Sequence, residues 1–154
     1  MKILNVPHIQ QPTGSNLCWA ACALMVYKYY NRGSAEALSN VVNYFGGMTQ
    51  AGCSAMSMLY LQGKNLKPSK IFKDLDMDFI VGCLDRGSPY LISYQLNSGT
   101  SHMVVVGGYD TSAQGAVTFY VEDPAEPNSQ LPYALNELAK LRGEAREVID
   151  GFAV

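Results

Sequence analysis

The stretch VPHIQQPTGSNLCWAACALM, residues 6–25, places a cysteine beside the only tryptophan of the chain, at the predicted start of a helix. Ser15 or Asn16 can cap a helix that begins near Leu17. Cys18 would then lie in the first turn, where backbone N–H groups and the positive end of the helix dipole stabilise a thiolate. A small buried apolar cysteine is the alternative interpretation, and this stretch alone does not decide between the two.

The composition is that of an ordinary globular chain. Its 154 residues suit one domain, 48% of them are apolar, 16% are charged, and the formal net charge is -2. This charge balance argues against a nucleic-acid partner, which requires a clustered basic surface. The longest apolar run, residues 20–30, is interrupted by Lys28 and is too short to span a bilayer, and the N-terminus has no secretory signal pattern. We therefore expect a cytoplasmic type of fold with no membrane partner.

The cysteines and histidines limit the metal and disulfide chemistry of the chain, which has four cysteines, Cys18, Cys22, Cys53 and Cys83. Cys18 and Cys22 lie four residues apart on one predicted helix, a poor arrangement for a disulfide. No C-x-x-C pair is present, and the chain has two histidines. We therefore expect reduced thiols, no metal site and no cofactor.

The residue pattern changes character near residue 88. Helical spacing with stop signals predicts four helices before this point, beginning near Leu17 and within residues 34–47, 54–65 and 74–87. β-Branched and aromatic runs predict strands after it, at residues 89–96, 102–109, 116–123 and 146–154, with a short helix at 133–143. Short links between strands favour antiparallel pairing. The sequence thus predicts one α+β domain over residues 1–154, with a helical part at about 15–87 and a sheet part at about 88–154.

A nucleophilic cysteine needs a base, and the chain offers His8 and His102. His102 opens a predicted strand directly after the polar turn NSGTS, so the strand would hold the imidazole at a cleft. An exposed turn histidine is the alternative for this position. His8 alternates with apolar neighbours in VPHI and is interpreted as an ordinary exposed or half-packed residue.

An imidazole base in turn needs an orienting group. Asp123 ends a predicted strand in YVEDPAEP, and Pro124 fixes the backbone there because proline cannot continue the hydrogen-bond ladder. The Asp123 carboxylate can hydrogen-bond an imidazole, whereas a plain turn aspartate is the alternative. Asp110 and Glu122 are competing carboxylates, and Glu122 should face the other side of the strand from residue 123.

An oxyanion donor completes the set. Gln10 and Gln11 lie upstream of the cysteine, and a side-chain amide there can complement the backbone N–H of Cys18. Two solvent-exposed glutamines are the alternative. Each of these signals is weak alone, but the order Gln, Cys at a helix start, His on a strand and Asp-Pro after the next strand is informative.

This order resembles the papain-like cysteine peptidases over residues 6–125. VPHIQQPTGSNLCWAACALM is similar to a bacterial branch with the motif V-P-x-I-x-Q followed by C-[WG]-x-A and a helix. SPYLISYQLNSGTSHMVVVGGYD resembles its strand, loop and His-led strand ending in Gly-Tyr, and VEDPA resembles its Asp-Pro-Ala. Two relatives share the pattern: the double-glycine leader peptidase domains of bacteriocin exporters, and papain-like effector proteases and antibacterial toxins, including type VI secretion effectors.

The resemblance implies a role for each matching residue. Cys18 would be the nucleophile, His102 the general base and acid, Asp123 the group that orients His102, and Gln11 an oxyanion donor, with Gln10 as the alternative donor. The family usually has five residues between this Gln and the Cys, whereas Gln11 leaves six. A one-residue bulge at Gly14 would restore the spacing. The site is expected in the cleft between the helical and sheet parts, without a metal or a cofactor.

The function implied is a cysteine endopeptidase that cleaves protein substrates, after Gly-Gly if the leader-peptidase resemblance is the nearer one. We expect a bacterial effector or antibacterial toxin domain that a secretion system delivers, blocked in the producing cell by a cognate inhibitor protein. A deamidase or transglutaminase on the same triad, a leader-peptide processing peptidase, and a binding module with a degenerate site are the alternatives.

Overall fold

The computed structural model describes residues 1–47, 54–96, 100–138 and 145–154, with the backbone alone for 145–150. Its helices are α1 (Cys18–Tyr30), α2 (Leu38–Tyr44), α3 (Ser54–Gly63), α4 (Met77–Asp85) and α5 (Leu135–Leu138). Its strands are β1 (Lys2–Ile3), β2 (Ser69–Phe72), β3 (Tyr90–Leu96), β4 (Ser101–Thr111), β5 (Val117–Glu122), β6 (Leu131–Ala134) and β7 (Ala145–Ala153). This arrangement confirms the predicted α+β class.

The described strands form one antiparallel sheet in the order β2-β7-β3-β4-β5-β6, and β1 pairs with β4. β4 lies between β3 and β5. Its register sets His102 opposite Tyr94 on β3 and Val105 opposite Glu122 on β5. The sheet therefore brings the start of β4 and the end of β5 to neighbouring positions.

Helix α1 is buried over its first nine residues, 18–26. An amphipathic helix would alternate buried and exposed faces, so this continuous burial marks a helix enclosed on several sides. It packs against β4, α2 and α3, and its small side chains Ala20, Ala21 and Ala23 permit close approach. Its start is consequently packed against the sheet.

None of the helices in the described ranges is long and apolar enough to cross a membrane.

The glycine pair Gly107-Gly108 allows the N-terminal segment to lie against β4. A Cβ atom on Gly108 would lie 2.8 Å from the backbone oxygen of Lys2, and one on Gly107 would lie 3.2 Å from Val6. Leu4 donates its backbone N–H to the oxygen of Gly107 at 2.8 Å. Because these two positions have no side chains, the N-terminal segment that leads to Gln11 can lie close to β4.

Helices α1 to α4 all precede the predicted boundary near residue 88, but two strands precede it as well. β1 and β2 precede that boundary, and β2 pairs with β7 near the C-terminus. β2 is a short edge strand that is mostly exposed, with a positive φ of 56° at Lys70, so it lacks the alternating pattern of a buried strand. β6 also replaces the start of the helix predicted at 133–143, and residues 139–143 lie outside the described residues.

Two predicted helix starts need correction. Neither Ser15 nor Asn16 caps α1: the N-cap is Leu17, which makes no side-chain capping hydrogen bond. α2 begins at Leu38 rather than directly after Ser34, because the Ser34 hydroxyl accepts the N–H of Glu36 and forms a local turn instead. The predicted turn at NSGTS falls largely on residues 97–99, outside the described ranges.

Candidate active site

Cys18 is the first residue of α1, and its 7% exposure leaves the thiol at the edge of the core. Leu17, the N-cap, makes no side-chain hydrogen bond to the first backbone N–H groups of α1. N–H groups and the positive helix end at this point favour an anion. Cys18 thus lies at a helix start, within one residue of the position that the sequence predicted.

His102 lies in the second position of β4, with its side chain 13% exposed. Its Nε2 atom lies 2.7 Å from Oδ1 of Asp123. Burial lowers the pKa of His102, but side-chain hydrogen bonds to Asp123 and to Cys18 outweigh burial and raise the pKa to about 9. Since Nε2 contacts Asp123, Nδ1 is the ring nitrogen left for the thiol. His102 therefore connects the cysteine to the carboxylate.

Asp123 follows the last residue of β5 and is fully buried. Its Oδ1 atom also accepts the backbone N–H of Ala125 at 2.9 Å, which fixes the carboxylate beside His102. The competing carboxylates lie elsewhere: Glu122 contacts His8 on the other side of the strand, and Asp110 lies 3.7 Å from the N-terminal amine. The structure thus brings Asp123, and neither alternative, to His102.

Tyr94 forms part of the buried surroundings of this carboxylate. It pairs with His102 across β3 and β4 and is fully buried. Burial and the charge of Asp123 both raise the pKa of Tyr94, so the phenol stays neutral. The site therefore places a neutral ring, rather than a second charge, beside the His102–Asp123 pair.

The segment before Cys18 makes a turn at Gly14. Gly14 has a φ of 73°, and Ser15 donates its N–H to the oxygen of Pro12 at 3.0 Å, closing a tight turn. Gln11 donates its side-chain amide to the Ser15 oxygen at 2.7 Å and its backbone N–H to the Pro124 oxygen at 2.8 Å. Gln10 is exposed, whereas Gln11 is half-buried, which favours Gln11 as the donor.

Two contacts around the site were not predicted. His8 lies 2.8 Å from Glu122, where the sequence indicated an ordinary half-packed residue. Cys22 donates its thiol to the Met103 oxygen at 3.3 Å. These partners are 114 and 81 residues apart in the chain, and no local pattern signals either contact.

Trp19 and the remaining cysteines serve packing. Trp19 is buried and contacts the ring of Phe45 edge to face, with 5.4 Å between ring centroids. Cys22 and Cys83 are free and buried, and burial raises the pKa of both thiols. Cys53 lies outside the described residues.

A thiol beside an imidazole, a carboxylate and amide donors suits acyl transfer through a covalent thioester.

Comparison with known proteins identifies a family and similar folds. A family model described as "Peptidase_C39 like family" matches residues 3–142. A search of curated proteins returns no match. A solved structure of a C39-like peptidase from Bacillus anthracis is similar, with a TM-score of 0.66 and 15% identity, covering 99% of this chain and 96% of that one.

A second similar structure is the peptidase domain of Streptococcus ComA, a bifunctional ABC transporter involved in a quorum-sensing pathway. Its TM-score is 0.70 at 14% identity, and the match covers 97% of this chain and 98% of that one. These two similarities show a shared fold, and the family match over residues 3–142 adds the sequence relationship. The chain therefore belongs to the C39-like peptidase family, and it is a papain-like cysteine peptidase.

Proposed function

We propose that this peptidase is an endopeptidase that cleaves protein substrates with Cys18 as nucleophile, His102 as general base and acid, and Asp123 as the orienting carboxylate. The observation that carries the proposal is the position of His102, bonded at 2.7 Å to Asp123 and hydrogen-bonded to Cys18. This is the arrangement in which an imidazole can take a proton from a thiol and hold the resulting positive charge.

The proposed reaction uses the thiolate of Cys18 and the imidazolium of His102. The sulfur attacks the scissile carbonyl carbon, and the developing oxyanion accepts hydrogen bonds from the Cys18 backbone N–H and the Gln11 amide. His102 then donates its proton to the leaving amine, and the C–N bond breaks to leave a thioester. Water, deprotonated by His102, attacks the thioester carbonyl; the C–S bond breaks, the acid product leaves, and the thiolate of Cys18 and the imidazolium of His102 are restored.

The test is cleavage of proteins in a bacterial lysate, with new N-termini mapped by mass spectrometry. Wild-type protein is compared with Cys18→Ala and with Asp110→Asn, which changes an exposed carboxylate at the far end of β4. We expect new termini with the wild type and Asp110→Asn, and none with Cys18→Ala. A lysate with no termini that depend on Cys18 would contradict the proposal.

We further propose that cleavage follows Gly-Gly, because the sequence resembles double-glycine leader peptidase domains and the fold is similar to that of the ComA peptidase domain. The test uses peptides that differ only in the two residues before the scissile bond, which are Gly-Gly, Gly-Ala or Ala-Ala. Cleavage of all three at similar kcat/KM would refute it. Conversion of glutamine to glutamate without chain cleavage would instead indicate the deamidase alternative.

We also propose that the chain is an effector or antibacterial toxin domain that a secretion system delivers, and that a cognate inhibitor protein blocks it in the producing cell. A pull-down with Cys18→Ala protein as bait, from the organism that makes the chain, tests both. Recovery of a small protein that blocks substrate access would support them, and failure to recover one would count against them.

A further inference from the structure

His8 lies between two hydrogen-bond acceptors. Its Nδ1 atom is 2.8 Å from Oε2 of Glu122, and its Nε2 atom is 2.7 Å from the backbone oxygen of Glu126. The side chains of His8 and Glu122 are 14% and 4% exposed, so little water can replace these contacts. Both distances are those of good hydrogen bonds.

Each of these two acceptors is satisfied by a proton on the ring nitrogen that faces it. A backbone carbonyl oxygen only accepts, and so does a carboxylate. A neutral imidazole has one N–H, which would leave a lone pair facing one of the two oxygens. Glu122 also accepts the backbone N–H of Gln130 at 3.2 Å through its other oxygen, and this bond favours the anionic carboxylate.

We infer that His8 is an imidazolium that clamps the oxyanion segment, residues 8–11, to the end of β5 and the turn after it, and that His8 is a positioning residue for the reaction. Gln11 is three residues beyond His8 and donates its backbone N–H to the Pro124 oxygen at 2.8 Å. The clamp therefore joins the proposed oxyanion donor to the stretch that contains Asp123. Its effect on catalysis rests on the proposed function, whereas the protonation of the ring does not.

The groups around the imidazole come from β5 and from the turn that follows it. Glu122 faces Nδ1 from β5, and Glu126 belongs to the turn whose backbone faces Nε2, while the neighbouring Asp123 carboxylate faces His102 instead. Burial raises the pKa of Glu122, while the hydrogen bonds from His8 and Gln130 oppose that shift. Loss of the second ring proton would set a nitrogen lone pair against the carboxylate and release residues 8–11.

The first test measures ring protonation and needs no substrate. The chain has two histidines, so protein labelled with ¹⁵N at histidine gives two ring spin systems, and a His102→Gln variant assigns them. At neutral pH we expect protons on both ring nitrogens of His8. A His8 ring with one unprotonated nitrogen at that pH would overturn the inference.

The second test exchanges the acceptor for a donor. In Glu122→Gln, the amide oxygen can still accept from Gln130 while the amide nitrogen donates to Nδ1 of a neutral His8. We therefore compare kcat/KM at alkaline pH with kcat/KM at mildly acidic pH. We expect the ratio of the two values to be about threefold or more higher in Glu122→Gln than in wild type. Glu122→Ala removes the clamp, and we expect its kcat to fall roughly tenfold at every pH, as for loss of part of an oxyanion hole.

Asp110→Asn is the matched control, since it removes a carboxylate remote from His8. A Glu122→Gln variant with the wild-type pH profile and wild-type His8 protonation would overturn the inference. If no variant and no wild-type protein cleaves a peptide, the proposed function fails, and the ring protonation still decides whether the clamp exists.

Discussion

The thiol of Cys22 donates a hydrogen bond to the backbone oxygen of Met103, with 3.3 Å between sulfur and oxygen. Cys22 lies one helical turn after Cys18 on α1, and Met103 directly follows His102 on β4. The bond thus joins the helix of the proposed nucleophile to the strand of the proposed base, close to both residues. Ser57 of α3 strengthens the junction, because its hydroxyl donates to the Trp19 oxygen at 3.0 Å and contacts the Met103 sulfur at 3.4 Å.

Cys22→Ala should therefore affect both stability and turnover. The variant removes the donor to the Met103 oxygen and leaves a small void, and we expect the free energy of unfolding to fall by about 1–3 kcal/mol. We also expect kcat to fall severalfold, because α1 and β4 lose their junction beside the site. Urea unfolding and kcat against a peptide substrate measure the two effects.

Cys83→Ala is the control for this effect, since Cys83 is equally buried but lies on α4, away from His102. It should lose stability and keep its kcat. Cys22→Ser retains a donor and should recover part of the turnover lost in Cys22→Ala. Equal kcat values for Cys22→Ala and Cys83→Ala would show that the junction has no role in the reaction.

Asp123→Asn should move the alkaline limit of activity to lower pH. The asparagine oxygen can still accept from Nε2 of His102, but the negative charge that helps raise the pKa of His102 to about 9 is lost. The imidazolium would then lose its proton at a lower pH, and kcat/KM would fall there. The pH profile of kcat/KM measures the limit, with Asp110→Asn as the control.

The same ionisation affects stability with a defined sign. Because the pKa of folded His102 is raised from 6.5 to about 9, its stabilising contribution is complete below 6.5 and is lost as the pH rises through 9. The difference in unfolding free energy between wild type and Asp123→Asn should accordingly shrink as the pH is raised. A difference that grows between pH 7 and 10 would contradict this assignment.

The three residues of the proposed triad could be predicted because each stands at the end of an element with a local signal. Cys18 begins a helix, His102 begins a strand after a polar turn, and Asp123 precedes a proline at the end of a strand. Helix starts, turns and proline stops are encoded within a few residues. The sequence therefore indicates the order of these three residues, whereas their contact depends on the folded chain.

The supporting contacts could not be predicted, because they depend on distant segments. The bond between His8 and Glu122 joins residues 114 apart, and that between Cys22 and Met103 joins residues 81 apart. Edge strand β2 is held by β7, so its pairing partner lies near the other end of the chain. Its exposed side chains carry no alternating pattern, and its strand character comes from tertiary pairing.

Gly108→Ala should disturb the site through the N-terminal segment that pairs with β4. The added Cβ would lie 2.8 Å from the backbone oxygen of Lys2 and 2.7 Å from the side chain of Ile3, so β1 would have to move. We expect a loss of about 1–3 kcal/mol in unfolding free energy and a lower kcat, since the N-terminal segment leads to Gln11. Urea unfolding and peptide cleavage measure both.

Gly82→Ala is the matched control on α4, where a new Cβ meets only the end of the Arg86 side chain, at 3.4 Å. Alanine is favoured over glycine within a helix by roughly 0.5–1 kcal/mol, so this variant should be equally or more stable and fully active. If Gly108→Ala unfolds and cleaves as Gly82→Ala does, the N-terminal segment does not depend on close contact with β4.

Thiol labelling should distinguish the proposed nucleophile from the buried cysteines. Cys18 is 7% exposed at a helix start beside His102, whereas Cys22 and Cys83 are fully buried and burial raises the pKa of both. Iodoacetamide at neutral pH should therefore modify Cys18 in the folded protein and leave the other two intact. A Cys53→Ser background removes the remaining thiol, and peptide mass spectrometry locates the label.

His102→Ala makes this labelling diagnostic, because it removes the imidazolium while the helix start is unchanged. If His102 holds the thiolate, labelling of Cys18 should slow by roughly tenfold or more in this variant, as expected when an activating base is removed. Labelling at an unchanged rate would assign the reactivity to the helix start alone and contradict the thiolate–imidazolium pair. Labelling of Cys22 as fast as Cys18 would contradict the packing of α1 itself.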